Sequence, residues 1–101
     1  MADTYTLIDG KPTIKKDPNA VLDYSVDLTA WLALIPGDAV ASKVITVSGG
    51  LTKGAESFTG NSVSVFVSGG VLGATEWINF RYTTTNGRTD ERTVFLLIAD
   101  R

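Results

Sequence analysis

The sequence predicts an all-β protein: a single immunoglobulin-like β-sandwich of about six or seven antiparallel strands with one short helical turn. Three observations carry this expectation. Short segments such as "LDYSVDL", "VSVFVS" and "EWINFRY" alternate apolar and polar residues with the period of a half-buried strand. Glycine, proline and asparagine signals punctuate the chain between them. No segment carries the 3.6-residue apolar repeat of a packed helix. A small barrel is the second architecture that fits the same pattern.

The elements follow in order. Residues 1–16 mix Thr, Asp, Gly, Pro and Lys without a sustained period, so they are expected as an extended N-terminal arm, leaving residues 17–101 as the sandwich domain. From Leu22, the residues Leu22, Tyr24, Val26 and Leu28 alternate against Asp23, Ser25 and Asp27. "TAWLAL" makes one helical turn capped by Thr29, broken at Ile35-Pro36-Gly37-Asp38, with Trp31 plugging one end of the core. "AVASKVITV" is the next strand, and its apolar parity changes between Val44 and Ile45, which predicts a bulge there. The Gly-rich "SGGLTKGAESFTGNS" holds at most a short strand around Leu51. Val63, Val65 and Val67 then share a face, as do Ile78, Phe80 and Tyr82.

The last hairpin admits two registers. Asn86-Gly87 suits a two-residue turn, but that register sets Arg81 opposite Arg92. A three-residue loop, Thr85 to Gly87 with Gly87 left-handed, instead sets Arg81 opposite Glu91, Thr83 opposite Thr89, Ile78 opposite Val94 and Trp77 opposite Phe95. The second register satisfies both the charges and the apolar face. The burst Arg88, Asp90, Glu91, Arg92 then consists of cross-strand partners and solubilising groups.

Composition narrows the chemistry. With 101 residues and 44% hydrophobic residues the chain can bury one core without staples. A formal net charge of -2 offers no broad basic face, so no nucleic acid is expected as a partner. Cysteine and histidine are absent, which removes thiolate and imidazole nucleophiles, disulfides and the common zinc sites. The N-terminal stretch has no apolar core of a secretory signal and no segment has the length of a membrane span, so a cytosolic product without a membrane partner is expected.

Candidate sites of chemistry each have a plainer explanation. Asp90 and Glu91 are neighbours on a strand and point to opposite faces, so they cannot converge on one bond. "SGGLTKGAES" lacks the Lys-Ser/Thr ending and following helix of a phosphate loop. Asp23, Asp27 and Asp38 do not have the spacing of a calcium loop. Ser68 has no base to activate it, and Lys53 in an exposed loop is a poor substitute. The expectation is therefore no catalytic residue, no metal and no cofactor.

What stands out is apolar bulk on the outward parity: Phe66, Trp77, Phe95 and Leu97 alternate away from the core positions of their own strands. Four readings fit: the parity is misassigned, the arm or "TAWLAL" folds back over them, they form a subunit or partner contact, or they stack on a sugar ring. Trp77 and Phe95 fall side by side, with Phe66 a candidate one strand further.

The segments "KKDPNAVLDYSVDLTAWL", "GDAVASKVITVSGGLT" and "VSVFVSGGVLGATEWINFRYTTTNGRTDERTVFLLIADR" resemble the small proteins of tailed-phage morphogenesis clusters known as phage fiber-tail adaptor proteins. The shared pattern runs through Lys16-Asp17-Pro18, Ala20 to Tyr24, Trp31-Leu32, Gly37-Asp38, Ser48-Gly49-Gly50 and Gly87 to Arg92, and the likeness extends from about Leu7 to Arg101. Glu76 stands where the family often has tyrosine, and Phe66 where it often has tryptophan. The resemblance implies a non-enzymatic virion structural protein, an adaptor or decoration component, synthesised in the host bacterial cytoplasm. It would join or cover head, neck, tail or fiber proteins and form a homo-oligomer in the particle. The alternative is a host-surface or carbohydrate-binding module.

Overall fold

The computed structural model describes residues 6–8 and 11–99, with side chains from Thr13 onward. In chain order the described elements are β1 (Thr6–Ile8), β2 (Lys11–Lys16), β3 (Leu22–Asp27), the helical turn α1 (Thr29–Leu32), β4 (Val40–Val47), β5 (Leu51–Phe58), β6 (Ser62–Gly69), β7 (Thr75–Thr84) and β8 (Thr89–Ile98). The protein is all-β, with its strands in two sheets, one of order β1-β2-β8-β7-β4 and one of order β3-β6-β5. Open sheets with distinct edges replace the closed barrel that the sequence also allowed.

Alternation builds the core. Tyr24, Val26, Val63, Val65 and Val67 point inward from the three-stranded sheet, while Ile45, Ile78, Phe80, Tyr82, Val94, Leu96 and Ile98 meet them from the other. Each such burial is worth about 1.5–3 kcal/mol. Leu28 and Leu32 close one end, with Trp31 half-buried against them and edge-on to Tyr82 at 5.2 Å. The hairpin between β7 and β8 has the register set by charge and apolar face: Arg81 lies opposite Glu91, Thr83 opposite Thr89 and Trp77 opposite Phe95. Thr84 N–H donates to the Arg88 carbonyl at 2.8 Å, which leaves the three-residue loop, and Gly87 takes a left-handed φ of 83°.

Several expectations change. The described strands number eight rather than six or seven, and β2 runs parallel to β8, so the pairing is not wholly antiparallel. The segment expected as an arm is extended, but Lys11–Lys16 lies in the sheet, with Ile14 in the core. Residues 1–5 and 9–10 of that segment lie outside the described residues. The parity change in β4 occurs earlier than expected: the register shifts between Val40 and Ser42, making Ala41 the extra residue, so Val44 points outward and Ile45 inward without a break between them. β5 is a full strand; two residues, Gly54 and Ala55, bulge between Lys53 and Glu56 and erase the alternation that would have announced it. Thr29 does not cap α1. The Asp27 carboxylate accepts from the Thr29 N–H at 2.9 Å and its hydroxyl at 2.6 Å, doing that work from one residue before Leu28.

Two buried charged groups organise the end of the sandwich opposite α1. The Lys16 ammonium, fully buried, donates to the carbonyls of Asp17 at 2.9 Å and Gly69 at 2.7 Å, and burial lowers its pKa against the opposing pull of Asp17. The Glu76 carboxylate accepts from the Ser48 hydroxyl at 2.6 Å and the Val71 N–H at 3.2 Å, tying the β4–β5 and β6–β7 turns together.

Candidate functional site

The outward residues of β7 and β8 form rows across the five-stranded sheet. Phe95 and Trp77 make one row, Thr93 and Asn79 the next, Glu91 and Arg81 the third. Leu97, opposite Thr75, extends the apolar stripe past the first row. Trp77 is 37% exposed, a large surface for an indole in the middle of a strand. Val44, opposite Arg81 on β4, adds another exposed apolar side chain at 63%.

The middle row is short. Asn79 donates to the Thr93 hydroxyl at 2.9 Å, and Thr46 lies opposite Asn79 on β4. Small side chains between bulky rows leave a shallow depression of ≈ 420 Å³ lined by Thr46, Trp77, Asn79, Glu91, Thr93 and Phe95. One wall is aromatic and the other is charged. Arg81 and Glu91 are exposed cross-strand neighbours, yet no ion pair joins them among the described residues.

The four expected contact residues do not share one face. Trp77, Phe95 and Leu97 come together on the five-stranded sheet. Phe66 belongs to β6 in the other sheet and points outward from the opposite side of the core, 46% exposed. It sits over Gly54, where an added Cβ would meet the Phe66 carbonyl oxygen at 3.2 Å. Asp23 lies directly opposite Phe66 on β3, and the flanking outward positions are small: Ser64 faces Ser25 and Ser57, and Ser68 faces Thr52. Neither the helical turn nor β2 lies in that sheet.

The remaining candidates resolve into structure. Asp90 takes the parity of Tyr82 and Glu91 that of Arg81, so the two carboxylates diverge. The Lys53 ammonium donates to the Ile45 carbonyl at 2.9 Å and pairs with Glu56 at 2.7 Å; Lys43 reaches the same Glu56 carboxylate at 2.8 Å. The hydrogen bond from Lys43, with that from Lys53, holds the Glu56 carboxyl below its usual range against the upward push of burial. Among the described residues no group of three or more His, Cys, Asp or Glu side chains is placed to hold a metal, and no helix is long and apolar enough to cross a membrane.

One constellation escaped the sequence reading. Arg88 is not a solubilising group: it lies over the Trp31 ring with Cζ 4.3 Å from the centroid and reaches the Trp31 and Leu32 carbonyls, each at 3.4 Å. Its guanidinium pairs with Asp38, whose side chain is fully shielded from solvent. The signal available was the motif set itself, since Trp31-Leu32, Gly37-Asp38 and Gly87-Arg88 all converge here.

The family model Gp77, described as podophage GP4 fiber-tail adaptor protein gp77, matches residues 16–97. No curated protein matches the chain.

Proposed function

The chain belongs to the podophage GP4 fiber-tail adaptor family, a family of phage virion structural proteins, and from that premise we propose that it works without catalysis, by protein contact through both outer faces of its sandwich. The observation that carries the reading is the placement of outward aromatics on opposite sides: the exposed Trp77 beside the half-buried Phe95 on one sheet, and the exposed Phe66 on the other. A joining protein needs two separate surfaces, and aromatic anchors dominate the energy of contacts that hold. The partners in this reading are other virion proteins at the tail, neck or fiber, the protein being made in the host cytoplasm before assembly.

The fold in this reading is immunoglobulin-like. The order β3-β6-β5 against β8-β7-β4 follows the B-E-D and G-F-C order of that sandwich, with β2 alongside β8. The domain in this reading takes in β2 together with residues 17–101, since Ile14 and Lys16 are buried in it.

The test pairs thermal unfolding of Phe66→Ser and Trp77→Ser with a protein gel of virions from a complementation assay. Both variants are expected to fold and to drop out of particles, or to enter them without the fiber. Full incorporation of both, with fibers attached, would overturn the contact reading.

A further inference from the structure

We propose that the outer face of β7 and β8 takes a second copy of this chain, related by a two-fold axis that runs between those strands and parallel to them. The inference rests on the contact reading above and names the occupant of one of its two faces.

The register makes this face complementary to itself. Each outward row pairs unlike but complementary residues: Trp77 with Phe95, Asn79 with Thr93, Arg81 with Glu91. A two-fold axis between the strands lays β8 of one copy over β7 of the other. Every residue then faces the counterpart of its own cross-strand neighbour. Trp77 seats on the second copy's Phe95, the Asn79 row meets the Thr93 row, and Arg81 faces the second copy's Glu91, each contact occurring twice as an isologous interface requires. Aromatic on aromatic, amide on hydroxyl and cation on carboxylate are all favourable pairings.

Charge complementarity singles out this occupant. Within one chain Arg81 and Glu91 stand side by side, exposed and not joined by an ion pair among the described residues. A foreign surface must supply a matching carboxylate, a matching cation and an apolar patch in the right order; a second copy supplies all three by symmetry. Two sheets stacked in this way lie about 10 Å apart. The short middle rows of Asn79 and Thr93 then face each other across a hydrated gap, which polar interfaces tolerate through bridging water.

The test is sedimentation equilibrium of the full chain. The wild type is expected to dimerise. Arg81→Glu and Glu91→Arg each place like charges together twice and are expected to weaken association by roughly tenfold or more. Mixing those two variants restores opposite charges at both contacts, so the mixture is expected to form a heterodimer, an outcome that rearrangement within one chain cannot produce. Circular dichroism of each variant establishes that it is folded. A wild type that stays monomeric, or a mixture of folded variants that does not associate, overturns the proposal. If in addition Trp77→Ser is excluded from virions, the face serves a different virion protein and the adaptor reading stands; if the mixture associates and Trp77→Ser is fully incorporated, the dimer stands and the face has no part in attachment.

Discussion

Asp38 and Arg88, separated by 50 residues in sequence, meet at one carboxylate oxygen, with Arg88 Nε at 2.9 Å and a terminal guanidinium nitrogen at 2.8 Å from Asp38 Oδ2. The other oxygen accepts from the Ala39 N–H, the Thr85 hydroxyl and the Asn86 N–H. One side chain therefore pins the β7–β8 loop to the segment entering β4, and Arg88 carries the link on to Trp31.

The pair gives stability a dependence on pH. Burial pushes the Asp38 carboxyl up, but the hydrogen bonds from Thr84, Arg88, Asn86 and Thr85 outweigh it and hold the group well below the usual carboxylate range. A carboxyl depressed in the folded state contributes fully above its unfolded value, about 3.9, and loses that contribution as pH falls toward the folded value. Asp38→Asn is expected to unfold at a lower temperature than wild type at pH 7, with the gap narrowing below about pH 4. Calorimetry across pH checks this; a gap of constant size would mean that the ionised carboxylate is not what the site holds.

The alternation of β6 and β7 separates core from outer face. Phe80 is fully buried and Phe66 is outward on the other sheet. Phe80→Ala is expected to cost about 3–5 kcal/mol and Phe66→Ala under about 1 kcal/mol, read from urea unfolding. Equal losses would put Phe66 in the core.

Gly70 and Gly73 both have positive φ, at 113° and 84°, but differ in what surrounds them. A Cβ on Gly70 would come within 2.6 Å of Ile98 Cδ1, whereas one on Gly73 meets nothing within 4 Å. Gly73→Ala is expected to lose about 1–2 kcal/mol for the left-handed backbone alone, and Gly70→Ala about 1–3 kcal/mol more for the crowding. Indistinguishable midpoints in denaturant would mean that Ile98 moves aside freely.

What was legible in the sequence was what alternation and turn chemistry encode. Val63 to Val67, Ile78 to Tyr82 and the register of the last hairpin follow from period two, the left-handed Gly87 and the clash of like charges that the other register would make. β5 was not legible because Gly54 and Ala55 bulge out of phase and its outward residues are polar. Ala41 hid the phase of β4 in the same way, one extra residue moving the apparent switch to Val44 and Ile45. The outward residues were half legible: parity identified Phe66, Trp77, Phe95 and Leu97 as facing away from the core, but parity does not say which sheet a strand joins. The Arg88 cluster depends on contacts between distant segments, which no local period reports.

β2 is the element on which sequence and structure diverge most, and it carries the last prediction. A loose arm would leave Ile14 in water, but β2 pairs in parallel with β8, placing Ile14 opposite Leu96. There Ile14 is 8% exposed and packs into the same cluster as Leu96 and Ile98. Two residues later the buried Lys16 ammonium fastens the strand to the Gly69 carbonyl, so β2 cannot swing away without taking that carbonyl's donor with it. Ile14→Ala is therefore expected to cost about 2–3 kcal/mol, the lower part of the range for a buried isoleucine because β2 lies near the sheet edge. That loss corresponds to a fall of roughly 10 °C or more in melting temperature for a chain of this size. Leu34→Ala, at a side chain 73% exposed beyond α1, serves as the control and is expected to change stability by less than about 0.5 kcal/mol. If the two variants melt together with wild type, β2 does not contribute to the fold in solution and the segment behaves as the arm its composition suggests.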